Sequence, residues 1–268
     1  MRTDLDISAG RAAFGEDPAA YRDARPPYPE ALYARLVDRT GLRPGMAVFE
    51  IGPGPGLATA RLLELGADPL LAIEPDPRLA DYLRAALPDK RLTIINSTLE
   101  AAEIPEARFD LGAAATSFHW LDQPTALAKV KGALKPGGWW AMWWTNFGAE
   151  GAPDPFQDAT RHLFKGTPRT PAHGRRGGPS FAMDHAARLA DLAGAGFEGA
   201  EMDFWPWTIT LETSRLVALY ATFSPIQALA MDHRAAFLEG LAEIADRDFG
   251  GAVERSFSSV LYTARRPI

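Results

Sequence analysis

The stretch Val48-Phe49-Glu50-Ile51-Gly52-Pro53-Gly54-Pro55-Gly56 decides how this chain is read. An apolar run that ends in an acid and breaks into glycines suits a strand buried on both faces, as in a parallel sheet. Gly52, Gly54 and Gly56 permit positive φ and a close backbone approach to a ligand. A helical pattern follows over 57–65, so the first N–H groups and the positive dipole end of a helix face that approach. The chain therefore builds a ligand cradle near its start.

Two devices use a strand, a glycine turn and a helix. The dinucleotide fingerprint G-x-G-x-x-G needs a third glycine where this chain has Leu57, so that match fails. The pattern present, E-x-G-x-G-x-G, resembles motif I of class I S-adenosylmethionine (SAM) dependent methyltransferases. The following strands extend the resemblance. Leu70-Leu71-Ala72-Ile73 ends at Glu74, and Asp76 with Pro77 caps a helix over 78–86. A carboxylate at the tip of the second strand can accept hydrogen bonds from both hydroxyls of a ribose. The alternative for Glu74 is a solvated acid at a strand end.

Leu92-Thr93-Ile94-Ile95 is the third strand and leads into Asn96-Ser97-Thr98-Leu99-Glu100. Methyltransferases of this type often read G-D-A-E here, the Asp receiving the adenine amino group. Thr98 in its place is an acceptor without charge, so the resemblance carries adenine to the neighbourhood of Thr98 and Leu99 only. The fourth strand, 109–115, ends in Thr116-Ser117-Phe118-His119-Trp120-Leu121-Asp122; a helix over 123–134 is capped by Asp122, and the fifth strand covers 139–145. F-D, S-F-H-W and L-K-P-G-G in this order resemble the methyltransferase-11 type of small-molecule methyltransferase. Phe14-Gly15, Tyr21 and Ala24-Arg25-Pro26-Pro27-Tyr28-Pro29 resemble its N-terminal lead.

The resemblance implies an α/β, doubly wound, seven-stranded Rossmann-like sheet whose last strand, here 260–264, is antiparallel and inserted between the fifth and the sixth. It implies a lid from insertions after strands five and six. The expected organisation is one domain over 1–268, with a helical lead over 1–40, a SAM-binding core over 41–147 and lid or substrate regions over 148–183 and 205–250. In the second half, 148–155 and 166–179 read as loops, 156–164 and 184–195 as helices, and 197–204 as the sixth strand. That strand continues through Trp205-Pro206-Trp207-Thr208-Ile209-Thr210, with a bulge at the proline. Helices follow over 211–220 and 234–245.

The cofactor implied is SAM, with S-adenosylhomocysteine as product. Its implied contacts are Glu50, Gly52, Gly54, Gly56, Glu74, Pro75, Thr98, Leu99 and Ser117, with Tyr21 and Arg25 from the lead. Ser117 would offer its carbonyl to the SAM amino group. Glu50 would orient the glycine loop or balance the ammonium, or only cap the loop. A sulfonium methyl is already activated, so positioning does most of the work and can lower a barrier by about 7–11 kcal/mol. A base is needed only for an acceptor protonated at neutral pH. His119, just past strand four, is the catalytic candidate; the alternative is that it packs with Trp120. Tyr28, His119, Trp120, Trp144 and Trp205 are the candidate acceptor contacts. Arg175 and Arg176 either meet an anionic acceptor or lie solvated on their glycine loop, and an acidic acceptor is one option among several.

Composition agrees. The 268 residues, 47% hydrophobic, can bury a sizeable core. A net charge of −6 without a basic run argues against nucleic acid. The chain has no cysteine, so disulfides and thiolate chemistry are excluded. No apolar stretch reaches about 18 residues, so no membrane span is expected. His162, His173, His185 and His233 lack metal-ligand spacing, and no metal is expected. Residues 1–6 have no signal-like apolar core, so a cytoplasmic monomer or homodimer acting on a small molecule is expected. The alternatives are a SAM-binding protein without transferase activity and, against Leu57, an NAD-dependent oxidoreductase.

Overall fold

The computed structural model describes residues 4–148 and 153–268. Positions 149–152 of the expected 148–155 loop and the first three residues lie outside that range. Seven strands form one sheet: β1 Met46–Ile51, β2 Ala67–Glu74, β3 Leu92–Asn96, β4 Phe109–Ala115, β5 Leu134–Phe147, β6 Glu198–Glu212 and β7 Ala252–Arg265. Their order is β3-β2-β1-β4-β5-β7-β6. β7 pairs antiparallel with both β5 and β6, whereas the other neighbours are parallel. The inserted antiparallel strand is thus where the resemblance put it.

Alternation along each strand sorts the core into two faces. Phe49, Ala114, Trp140, Met142 and Tyr262 pack on one side, and Val48, Leu70, Leu111, Ala113, Trp143 and Leu261 on the other. Helices α4 Leu57–Glu64, α5 Pro77–Ala86 and α6 Gln123–Ala133 follow strands one, two and four. Asp76 and Asp122 cap the latter two as expected, their carboxylates accepting from the N–H groups of Arg78 and Thr125. Before the sheet come α1 Ile7–Ala13, α2 Pro18–Ala24 and α3 Glu30–Thr40.

The second half departs from the expected bounds. The helix expected over 156–164 is α7 Pro155–Thr160 followed by a 3-10 turn, Arg161–Phe164. Next come α8 His185–Gly194, α9 Thr213–Ala221, α10 Ser224–Gln227 and α11 Met231–Phe249. Residues 211 and 212, expected in a helix, belong to β6, and β7 is far longer than 260–264. The expected bulge at Pro206 is absent: Pro206 pairs in register with Ser258, and the irregularity lies between Glu198 and Glu201. β6 is an edge strand, so a residue without an N–H needs no bulge there. Beyond the pairs Phe147–Phe257 and Trp207–Phe257, β6 and β7 run on as a two-stranded ribbon. Leu211 and Val253 of that ribbon pack with Leu216, Tyr220, Phe237 and Leu241 of α9 and α11 in a third core. This helical cap packs against Phe147 at the carboxyl end of β5.

Candidate active site

A cleft of about 880 Å³, its open mouth included, lies across the carboxyl ends of β1, β2 and β4. Gly52, Gly54 and Gly56 all take positive φ, at 64°, 56° and 88°. Their amides are spent within the structure: Gly52 donates to the Ile73 carbonyl, Gly54 to Glu74 Oε2 and Gly56 to the Pro53 carbonyl. The glycines therefore shape the cradle by conformation, and the free first-turn amides are those of α4, whose Leu57 and Ala58 line the cleft. A Cβ on Gly52 would lie 2.7 Å from Ser117 Cβ, so only glycine fits where the ends of β1 and β4 meet. Ser117 Oγ closes that seam by donating to the Ile51 carbonyl at 2.5 Å. The Ser117 carbonyl accepts from the Trp120 amide.

Glu74 is 4% exposed and lines the cleft. Oε2 accepts from the Gly54 N–H and Oε1 from the Asp76 N–H, each at 3.0 Å. Burial pushes its carboxyl up to about 7, against the pull of those two amides. Pro75, Leu79, Thr98 and Leu99 form the neighbouring wall. Thr98 Oγ1 accepts from the Ala101 amide, so its side chain serves the local turn. Glu50 lies beneath the loop rather than in the cleft wall. It is fully buried, Oε2 accepts from Thr59 Oγ1 at 2.7 Å, and Oε1 has no partner among the described residues. Burial pushes its carboxyl up to about 7 as well.

A second chamber of about 1460 Å³, mouth included, adjoins the first. Phe14, Tyr21, Thr116 and Trp120 line both, so the two spaces meet there. Thr116 holds φ at +53°, a rare conformation for a β-branched residue that costs about 1–3 kcal/mol. It is pinned by its amide to the Trp143 carbonyl and by Oγ1 to Tyr28 Oη, both at 2.8 Å.

His119 lines the second chamber and is 7% exposed. Its Nδ1 accepts from Trp144 Nε1–H at 3.0 Å, so the ring proton sits on Nε2. Burial, with a smaller contribution from His173, pushes its pKa down to about 3. The ring is thus a neutral donor at physiological pH and a poor proton acceptor, unlike the expected base.

Of the other expected contacts, Trp120 and Trp144 line the chamber and Tyr28 lines the cleft. Tyr21 lines both spaces, and Arg25 the chamber only. Trp205 lines neither; it packs on the face of Val48 and Trp143. Arg176 pairs with Asp4, and neither it nor Arg175 lines either space. Among the described residues there is no cluster fit to hold a metal and no helix long and apolar enough to cross a membrane. Sequence reading missed Arg255, a 1% exposed arginine in the chamber wall. Its signal was alternation: Val253, Arg255 and Phe257 share the buried face of β7, an unusual place for a cation.

Residues 49–142 match the methyltransferase domain family. An uncharacterized methyltransferase of Mycobacterium tuberculosis is 33% identical over 143 residues, 53% of this chain and 54% of the relative. The chain thus aligns with about half the length of this mycobacterial relative. An uncharacterized methyltransferase-like protein of Schizosaccharomyces pombe is 25% identical over 87% of this chain and 85% of its own. Among solved structures, one of a type II methyltransferase from Anaeromyxobacter dehalogenans, so far assigned only provisionally, superposes with a TM-score of 0.62 at 20% identity, over 91% of this chain and 98% of that one. A Haemonchus contortus phosphoethanolamine N-methyltransferase in complex with SAM gives 0.52 at 15% identity, over 98% and 57%.

Proposed function

Because the chain carries a class I SAM-dependent methyltransferase domain, we propose that it transfers the methyl group of SAM to a small-molecule acceptor. The observation that carries this reading is the pair of adjoining spaces: a cofactor-sized cleft ending at Glu74, and a larger chamber that meets it at Thr116. SAM supplies an activated sulfonium methyl. In this reading Glu74 receives the ribose hydroxyls on its two remaining lone-pair directions. Pro75, Leu79, Thr98 and Leu99 form the adenine wall, and the first turn of α4 with Ser117 faces the methionine end. Glu50 acts from below, tying β1 to α4 through Thr59. Phe14, Tyr21 and Trp120 exclude water from the junction, and Tyr28 with Thr116 fixes its shape. Arg25 belongs to the acceptor side. His119 donates from Nε2 to the acceptor and orients it. Cytoplasmic location and a monomer or homodimer complete the proposal.

Calorimetric titration with SAM, S-adenosylhomocysteine and NAD tests it. Binding of the first two and not of NAD is expected; binding of NAD alone would overturn it. Tight SAM binding without transfer to any small molecule would favour a SAM sensor instead.

A further inference from the structure

The charged side chains that line the acceptor chamber are opposite in sign to the net charge of the chain. The protein carries a formal net charge of −6. Yet the charged side chains in the chamber wall are Arg25, Arg161 and Arg255, with no aspartate or glutamate among the described lining residues. Arg161 is exposed and pairs with Asp158. Arg255 is buried; its Nη1 donates to Asp154 Oδ1 at 2.5 Å, while its Nε has no partner among the described residues. Among the described residues Arg25 has only neutral acceptors, Thr222 Oγ1 at 2.9 Å from Nε and the Thr222 carbonyl at 3.4 Å from Nη2. The rings of Tyr21 and Phe223 flank its guanidinium at 4.9 and 4.7 Å. A half-buried cation with no anion beside it offers an anionic ligand a charge-assisted hydrogen bond.

Among the described lining residues the two histidine rings already accept hydrogen bonds on Nδ1. His119 is protonated on Nε2 and accepts from Trp144 on Nδ1. The Nδ1 of His173 accepts from the Thr170 amide at 3.0 Å. Among the described lining residues an alcohol or phenol finds no side chain free to take its proton, and an ammonium would meet the Arg25 guanidinium, which has no anionic partner among them. A carboxylate is anionic and holds a reactive lone pair at neutral pH without help.

Resting on the methyl-transfer reading above, we propose that the chamber takes a carboxylate acceptor with an apolar body and forms its methyl ester. Phe14, Trp120, Phe147, Phe164 and Phe223 receive the body, and Arg25 supplies the positive charge. An oxygen lone pair of the carboxylate forms the O–CH3 bond as the C–S bond breaks. The bonding pair goes to sulfur, so the sulfonium becomes a neutral thioether, the carboxylate charge is lost and no proton leaves. A guanidinium clamped on the reacting carboxylate would oppose that loss of charge, so a diacid, held by one group and methylated on the other, is the better substrate.

The test titrates S-adenosylhomocysteine-loaded protein with phenylacetate, phenylsuccinate, their amides and phenyl phosphate, and follows transfer from methyl-labelled SAM. The acids are expected to bind at least tenfold tighter than the amides, with phenylsuccinate tightest. The product label should be released as methanol by mild alkali. Arg25→Gln should keep S-adenosylhomocysteine affinity and lose most of the discrimination between acid and amide. Acids bound no better than amides by the loaded wild-type protein, phenyl phosphate bound in their place, or an alkali-stable product would overturn the inference while leaving methyl transfer standing. Failure to bind S-adenosylhomocysteine at all would remove the reading beneath it.

Discussion

Replacing Glu74 by alanine is expected to weaken S-adenosylhomocysteine binding by about 1.5–3 kcal/mol, roughly 10- to 150-fold in Kd. Each carboxylate oxygen already accepts one backbone amide, from Gly54 or Asp76, at 3.0 Å. One further direction on each oxygen is left for a ribose hydroxyl. Hydrogen bonds to a charged group contribute about 1.5–3 kcal/mol each, and desolvating the hydroxyls offsets part of the pair. The carboxyl, pushed up to about 7 by burial, is partly protonated at neutral pH. Ribose donors favour the ionised form, so binding should expel a proton below pH 7, and affinity should rise between pH 6 and 8. Calorimetry in buffers of different ionisation enthalpy reads both the affinity and the proton. In Glu74→Ala the proton release should vanish while the affinity falls by that factor. A folded variant whose Kd stays within about threefold of wild type, or a wild-type affinity flat from pH 6 to 8, would refute the reasoning.

Glu50 is buried with one oxygen unpartnered, and its raised carboxyl makes folding take up a proton between the unfolded value near 4.3 and about 7. Its ionisation therefore destabilises the fold progressively across that window, and Glu50→Gln should raise Tm at pH 8 while changing little at pH 4; an equal shift at both would contradict this. Gly112→Ala would set a Cβ 2.4 Å from Phe49 Cζ and 2.9 Å from Trp140 Cε3, both fully buried. Overpacking of this kind should cost about 1–3 kcal/mol, a fall of roughly 2–10 °C in Tm by calorimetric scanning, and an unchanged Tm would show that the sheet can give. Nitrogen NMR of the His119 ring should show the neutral tautomer protonated at Nε2 from pH 5 to 8, and Trp144→Phe should release it to the other tautomer; an imidazolium at pH 5 would disprove the assignment.

The parts legible beforehand are those written in short windows. The glycine loop, the acid at the tip of β2 and the caps Asp76 and Asp122 each depend on a few consecutive residues and on local rules of φ and amide satisfaction. Ordered motifs carried the strand order, including the inverted β7. The second half was read less well because its pattern is not local. The alternation of β7 runs back to Val253, but the polar Ser256, Ser258 and Ser259 mask it, so the sequence pattern shows only residues 260–264.

Which side chain reaches which space was settled by tertiary structure. Strand register sends neighbours to opposite faces, so Trp144 meets His119 while Trp205 packs behind the sheet. Arg25 faces the chamber because Thr222, nearly two hundred residues away, holds it there. The His119 tautomer is set by an indole on another strand, and the strain at Thr116 by Tyr28 and Trp143. By itself the chain determined the cradle and the class of fold, because caps, glycine turns and strand periods act over a few residues. The shape, charge and proton state of the acceptor chamber came only with the fold, because they depend on contacts between segments far apart in the chain.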